Sequence, residues 1–487
     1  MQNKYWFSAL SGLLLICTGM SVQAELLIAD PSWQEGKLEN GLKWQILTTP
    51  HRPSDQIEVR LEINAGSLQE SISQVGFSYL LPRLAIEKSD NLSAEETQSL
   101  LSQITSESEP KSLVEVSYDY TRYNLSLPTN KPDLLKSAFV WLSGAVSAPT
   151  VSNDVMQSLS QQPASPLITL PDGINDAWWR YRIQHSPLVG HEPGQATSNE
   201  ATPEQLAEFY QKWYTPDAMT LYIVGNVDRR SIVEQINKSF GGLTGNRIAP
   251  ATIAALSPLP ATPVDFMSQG IEKDRLRLVW DDPWHPVIST SFLERYWLNI
   301  IANDLIKNRL SHKLSYSSMK SSSVDLNCLA QYQRYQCDLT LDAPLSAVKS
   351  GLKFIATELA KLDKDGVTEA ELNTLLVEQK EPLIQMITTY AKTDTNKIMA
   401  QYLLVQKSGS IAISPEAYQQ LRQRFLDKID LIAVNTRIHQ LLTIKPTIVL
   451  TQPAGEAEEN VKVLSDLFDS IMTPKEAEPE QPEVINR

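Results

Sequence analysis

Histidines paired with a nearby carboxylate would be the first sign of metal-assisted hydrolysis in this sequence, because zinc requires ligands at defined spacing. The chain has six histidines, which are His51, His185, His191, His285, His312 and His439. No two of them stand four residues apart, as they would on a common helix face. His191 and Glu192 begin like a zinc helix, but they lie among Pro and Gly residues and lack a second histidine at the required distance. We therefore interpret them as loop residues.

Other catalytic and binding patterns are also missing from the sequence. It contains no G-x-S-x-G elbow, no phosphate-binding loop and no setting typical of a reactive cysteine. The formal net charge is -14, from 43 Lys and Arg against 57 Asp and Glu. Because nucleic-acid binding depends on basic surface, this balance argues against a nucleic-acid partner.

The N-terminal residues predict export. Residues 1–24 carry one cation, Lys4, then an apolar stretch at 9–19 and a small-residue ending, Val22-Gln23-Ala24. This is the pattern of a signal peptide cleaved after Ala24. A membrane anchor would need about 20 apolar residues, and this stretch is shorter. A lipoprotein processing site at Cys17 would usually follow a small residue, whereas Ile16 is bulky. We expect a periplasmic protein without a membrane span once the signal is removed.

Two cysteines remain after signal removal. Cys328 and Cys337 lie in alternating polar and apolar segments at 324–330 and 335–341, around a turn near Tyr332 and Gln333. In an oxidising compartment they could form a disulfide across a hairpin. The alternative is two independently buried thiols.

The length of 487 residues favours two or more domains. Strand and helix patterns fill residues 32–248 and recur in similar order at 264–453, separated by a Pro- and Ala-rich linker at 249–263. Residues 473–487 are rich in Pro and Glu and predict a disordered acidic tail. The patterns indicate an α+β fold that occurs twice, each time as an antiparallel-rich sheet with helices packed on one face.

Several motifs give the sequence a specific resemblance. They are LENGLKW at 38–44, AGS at 65–67 with Glu70, GFS at 76–78, FYQKWYTPDAMT at 209–220 and IVGNVD at 223–228. In order and spacing they resemble the pitrilysin/insulinase family of metallopeptidases over roughly residues 35–450. The resemblance implies one half of a clamshell that encloses extended peptides and pairs them with an edge strand through backbone hydrogen bonds.

That family uses the inverted zinc motif H-x-x-E-H, in which two histidines bind zinc and the glutamate acts as general base. The matching window here is 79–83, with Tyr79 and Arg83 in place of the histidines and Pro82 in place of the glutamate. Tyr79 would have to ionise its phenol to bind zinc, Pro82 cannot act as a base, and Arg83 brings a permanent positive charge. We expect this window to bind no zinc, although zinc is the cofactor of the family.

The third zinc ligand of the family is a glutamate about seventy to eighty residues further along. This chain has no glutamate between Glu115 and Glu192, and Asp154 is the acid nearest the expected place. Nothing around Asp154 in the sequence marks it as a ligand. A second part of the zinc site is therefore also missing.

The resemblance also implies a peptide-binding role for Arg309 and Tyr316, with a surface arginine on a helix and a hairpin tyrosine as the alternative. Our hypothesis is a non-catalytic homologue that binds peptides or unfolded periplasmic segments, or supports a catalytic family member, as a homodimer or heterodimer. An active zinc-dependent metalloendopeptidase and a structural scaffold remain as alternatives.

Overall fold

The computed structural model describes residues 25–53, 56–87, 91–104, 112–147, 151–197, 200–319 and 321–473. The predicted signal peptide and residues 474–487 of the predicted tail lie outside this part of the chain. The described residues form two α+β halves, each built on its own sheet.

The first sheet has seven strands among the described residues. They are β1 (Trp33–Lys37), β2 (Lys43–Thr48), β3 (Gln56–Ile63), β4 (Val114–Val116), β5 (Thr121–Pro128), β6 (Ile168–Thr169) and β7 (Met219–Gly225). Their order across the sheet is β1-β2-β7-β3-β5-β4-β6. Only the pairs β2–β7 and β4–β6 are parallel, so the sheet is rich in antiparallel pairs, as the sequence predicted.

The helices of the first half are α1 (Phe77–Glu87), α2 (Ala94–Ile104), α3 (Pro132–Ala145), α4 (Asn153–Gln161), α5 (Ala177–Ile183), α6 (Pro203–Trp213) and α7 (Arg229–Phe240). Thr202 explains the start of α6, because its hydroxyl accepts from the N–H of Gln205 while the Gln205 side chain returns to the N–H of Thr202. The strand β6 and the helix α4 were not predicted from the sequence.

The second half has five strands in its sheet: β8 (Val264–Ser268), β9 (Asp274–Pro283), β10 (Ser323–Gln331), β11 (Arg334–Ala343) and β12 (Thr447–Pro453), in the order β10-β11-β9-β12-β8. Its described helices are α8 (Thr290–Ser315), α9 (Leu345–Asp365), α10 (Glu369–Ala391), α11 (Thr395–Lys407), α12 (Pro415–Lys428), α13 (Leu431–Leu442) and α14 (Val461–Met472). The last helix buries Leu464 and Phe468 in the same core as α9. This core therefore extends past residue 453, where we expected the domain to end.

The cysteine hairpin forms as predicted. Cys328 and Cys337 face each other directly in the register of β10 and β11 and are joined by a disulfide. Tyr332 and Gln333 form the two-residue turn with φ of 44° and 63°. Both values suit the tight turn that matches strand twist, although such values are uncommon for residues other than Gly, Asn and Asp. The short loop closed by the disulfide implies a stabilisation of about 2 to 3 kcal/mol.

Both faces of the first sheet are covered. The helices of the first half other than α5 pack on one face, and α11 of the second half packs against β3 and β7 on the other. Met399 of α11 is fully buried there, and Tyr402 stacks on Trp33 with ring centroids 3.5 Å apart. The sequence predicted helices on one face only, because it does not show which half α11 contacts.

The tip of the cysteine hairpin reaches from the second half into the first. Tyr332 is buried there, and its hydroxyl lies 3.2 Å from the hydroxyl of Ser117. Its ring packs edge-on against Tyr118, with centroids 5.8 Å apart. The strained turn thus places an aromatic anchor directly after β4.

A buried charge cluster holds the same interface. Asp281 of β9 accepts from Arg182 of α5 at 2.8 Å and from Arg334 of β11 at 2.9 Å. The Asp281 side chain is 4% exposed, and that of Arg182 is 2% exposed. Arg182 also donates to the linker carbonyl of Ser257 at 2.7 Å, so one guanidinium contacts the linker and the second half together.

We expect Asp281→Asn to lower the free energy of unfolding by about 3 kcal/mol, because the change leaves two buried arginines without their counter-charge. Urea unfolding followed by tryptophan fluorescence measures the effect. The matched control is Asp133→Asn, whose pair with Lys136 is exposed and should contribute less than about 1 kcal/mol. Equal effects of the two changes would show that the cluster does not hold the halves together.

Candidate functional site

The window that resembles the zinc motif lies on α1. Gly76 precedes this helix with φ of 86°, and a Cβ there would lie 2.6 Å from the carbonyl oxygen of Gln195, so only glycine fits. Phe77, Leu80 and Leu81 point into the first core. The helix continues through Pro82 to Glu87, although proline cannot donate the hydrogen bond of its turn.

Glu70 closes the N-terminal end of α1. Its carboxylate accepts from the backbone N–H of Gly76 at 2.9 Å and of Ser78 at 2.7 Å, and from the Ser78 hydroxyl at 2.5 Å. These bonds satisfy N–H groups that a helix start leaves without an intrahelical partner. Burial raises the pKa of Glu70 to about 7, against the opposing effect of the hydrogen bonds from Ser78 and Gly76.

The two residues in the histidine positions are bound to another part of the chain. The phenol oxygen of Tyr79 accepts from the N–H of Ser165 at 3.0 Å. The guanidinium of Arg83 donates to the side-chain oxygen of Gln162 and to the carbonyl of Pro163, both at 3.1 Å. Arg83 is 7% exposed, so its charge is held inside the site rather than in solvent.

Asp154 is the acid nearest the expected place of the third zinc ligand, and it lies on α4. It is exposed in the first turn of α4, which begins after Ser152. An acid in this position stabilises a helix start by itself. In the described part of the chain, no three His, Cys, Asp or Glu side chains group as a metal ion would require.

The residues present do not fit zinc. The oxygen of Tyr79 already accepts a backbone hydrogen bond, Pro82 has no donor atom, and Arg83 places a cation where the second histidine would stand. We therefore derive no zinc-dependent step from this set of side chains.

His191 and Glu192 lie in a loop, as predicted. The ring nitrogen Nδ1 of His191 lies 3.1 Å from the carbonyl oxygen of Ser67, and Glu192 accepts from the side chain of Gln195 at 2.6 Å. These contacts give both side chains structural roles.

Arg309 and Tyr316 have different surroundings. Arg309 on α8 forms a bidentate ion pair with Glu371 and donates to the carbonyl of Gly366 at 3.0 Å, which ties α8 to the start of α10. The Arg309 pair lowers the pKa of Glu371 to about 2. Tyr316 is 80% exposed at the end of α8. The geometry favours a structural role for Arg309, and a peptide contact of Tyr316 stays a prediction.

Comparison with known proteins places the chain in a family. Two family models match, Insulinase (Peptidase family M16) over residues 45–163 and Peptidase M16 inactive domain over residues 200–376. Protein YhjJ of Escherichia coli strain K12 is 41% identical over 466 residues, which cover 96% of this chain and 93% of that protein. The chain belongs to the insulinase family, peptidase family M16. The resemblance inferred from the sequence motifs is confirmed.

Solved structures of the insulinase family share the fold. One, a predicted insulinase family protease from Yersinia pestis, is 44% identical with a TM-score of 0.89 and covers 96% of this chain and 100% of that chain. The periplasmic protease PqqL from Escherichia coli has a TM-score of 0.78 at 20% identity, with 94% of this chain matching 52% of that one. The chain therefore corresponds in fold to about half of PqqL.

Sequence analysis missed the partners of the degenerate motif. Residues 162–169 have no metal ligands and no catalytic pattern, yet they contact both Tyr79 and Arg83. The only available signal was their pair of prolines, Pro163 and Pro166, which indicates an extended segment.

The raised pKa of Glu70 gives a stability prediction. The folded protein keeps this proton up to about pH 7, whereas an unperturbed glutamate releases it near 4.5. The contribution of Glu70 to stability should therefore fall as pH rises between these values and level off above them. We expect Glu70→Gln to make the thermal midpoint less dependent on pH in this window, as measured by calorimetry from pH 4.5 to 8. If the thermal midpoints of wild type and variant changed equally with pH, the raised pKa of Glu70 would be contradicted.

Proposed function

We propose that this protein is a non-catalytic member of the insulinase family that works in the periplasm, where it binds extended peptides or supports a catalytic relative. The observation that carries the proposal is the state of the motif positions. Tyr79 and Arg83 use their polar atoms to bind the chain itself, and Pro82 replaces the general base.

Loss of the zinc chemistry leaves the other feature of the family, backbone pairing with extended peptides, chemically possible. Strand addition depends on main-chain N–H and C=O groups and requires neither a metal nor a general base. The two halves pack together through a buried interface, and this packing would hold such a surface in place.

Several observations support the periplasm. Residues 1–24 have the pattern of a signal peptide, and the disulfide between Cys328 and Cys337 suits an oxidising compartment. The fold relative PqqL is a periplasmic protease. Among the described helices, none is both long and apolar enough to cross a membrane.

The half-length match supports association. The chain aligns with 52% of PqqL, so a second unit of similar size would be needed to complete an enclosure of that length. The partner could be a second copy or a catalytic family member, and closed dimers are the commonest solution. The net charge of -14 argues against a nucleic-acid partner.

An active zinc peptidase is the second candidate, since relatives bear the names probable zinc protease PqqL and insulinase family protease. Those names describe other chains, and a shared fold does not carry an activity with it. A structural scaffold without peptide affinity is the third candidate.

We expect the purified mature protein to hold no stoichiometric zinc and to cleave no peptide in a library, because the ligands and the base are absent. Elemental analysis and library digestion with and without chelator measure this. A family member with an intact H-x-x-E-H motif, assayed in parallel, is the positive control. About one zinc per chain with chelator-sensitive hydrolysis would establish the active peptidase instead.

We also expect the protein purified from periplasm to be a dimer, or to copurify with a catalytic relative. Light scattering and native mass spectrometry measure the mass of the assembly. A monomer at micromolar concentrations, with neither a relative nor a retained peptide, would leave the scaffold as the remaining function.

A further inference from the structure

The segment 162–169 runs along the outside of β4. The N–H groups of Leu113 and Val114 donate to the carbonyl of Leu167 at 2.9 and 3.0 Å. Ile168 and Thr169 then form β6, which pairs in parallel with β4. Because β6 has only two residues, few backbone hydrogen bonds hold it to β4.

Tyr79 and Arg83 anchor the other end of the same segment. Arg83 binds Gln162 and Pro163, and Tyr79 binds the N–H of Ser165. Tyr79 and Arg83, which stand at the histidine positions of the family motif, therefore bind the same segment.

Most of the segment lies at the surface. Gln162 and Thr169 are exposed, and Ile168 is the buried side chain, with 7% exposure. Pro163 and Pro166 favour an extended backbone and prevent a helix. An exposed, extended chain with one buried aliphatic side chain and backbone bonds to a sheet edge has the form of a peptide bound by strand addition.

The backbone just beyond β4 is occupied as well. The carbonyls of Ser117 and Tyr118 accept from the N–H groups of Ser67 and Leu68 at 3.1 and 2.8 Å. Gly66 permits this approach, because a Cβ there would lie 2.2 Å from the carbonyl oxygen of Ser117. Ser67 and Leu68 are buried, whereas most side chains of residues 162–169 are exposed, so the segment covers its part of the edge less firmly.

We propose that residues 162–169 of the chain occupy the β4 edge in the place of an extended peptide, and that Tyr79 and Arg83 hold this occupant there. The proposal rests on the peptide-binding function above and adds its regulation, since the chain itself closes the edge. The incoming peptide replaces the Leu167 carbonyl and places an aliphatic side chain where Ile168 is buried. Binding therefore requires release of the segment.

Hydrogen exchange tests the two anchors. In Tyr79→Phe/Arg83→Gln, the amides of Ser165 and of residues 167–169 should exchange about tenfold faster, because both changes remove hydrogen bonds that hold the segment. The matched control is Arg230→Gln, an exposed arginine on α7. Unchanged exchange in the segment, with the second sheet equally protected in all variants, would overturn the role of the anchors.

A cross-link tests occupancy of the edge. The hydroxyls of Ser112 and Thr169 are 2.7 Å apart, so Ser112→Cys/Thr169→Cys should close the segment on β4 by a disulfide. The two single variants are its controls. The opposite change, Leu167→Gly/Ile168→Gly, releases the segment and keeps both anchors for an incoming peptide.

The probe is a fluorescein-labelled peptide with the sequence of residues 162–170, followed by fluorescence anisotropy. We expect the released variant to bind it at least about tenfold more tightly than wild type, and the oxidised cross-linked variant not to bind it. Equal binding by the cross-linked and released variants would overturn the inference and leave peptide binding elsewhere on the protein intact. Absence of binding by the released variant would overturn it too, whereas zinc and hydrolysis in the wild type would overturn the proposed function independently.

Discussion

The buried carboxylate of Asp281 is the interaction on which the arrangement of the two halves depends. It binds one arginine from each half, the buried Arg182 and the largely buried Arg334. Arg334 is the first residue of β11, directly after the hairpin turn. In that turn, Tyr332 packs against Ser117 and Tyr118. A charge cluster of this kind is costly to bury, and it remains favourable only while all its partners are present. The end of β4 is therefore positioned by contacts from the second half as well as by its own sheet.

The site on α1 shows that a helix can keep its packing when other residues stand at the positions of the zinc motif. Glu70 and Gly76 still define the start of the helix, and the apolar side chains still pack into the first core. What differs is the polar face, where Tyr79 and Arg83 bind a neighbouring strand segment. The cost of leaving a buried guanidinium without partners explains why Arg83 needs the carbonyl groups that residues 162 and 163 provide.

Much of the fold could be predicted from the sequence because its signals are local. The bounds of α6 follow from Thr202, Pro203 and Gln205, which act within one helical turn. The cysteine hairpin follows from alternation of side chains around a two-residue turn. In contrast, β6 has two residues and no periodicity to read. The helix α14 buries Val461, Leu464 and Phe468 at helical spacing, but it follows the apparent end of the domain at residue 453 and was not predicted.

By itself, the sequence determined the resemblance to the family and the replacement of the zinc motif, and it predicted a hairpin in which Cys328 and Cys337 could pair, since each depends on residue type and spacing along the chain. Only the tertiary structure decided what Tyr79 and Arg83 contact, that Arg309 binds Glu371, and that α11 covers the first sheet. These contacts join residues tens to hundreds of positions apart. Side-chain chemistry states which bonds a residue can form, but the packing of the two halves selects which of its possible partners lies within reach.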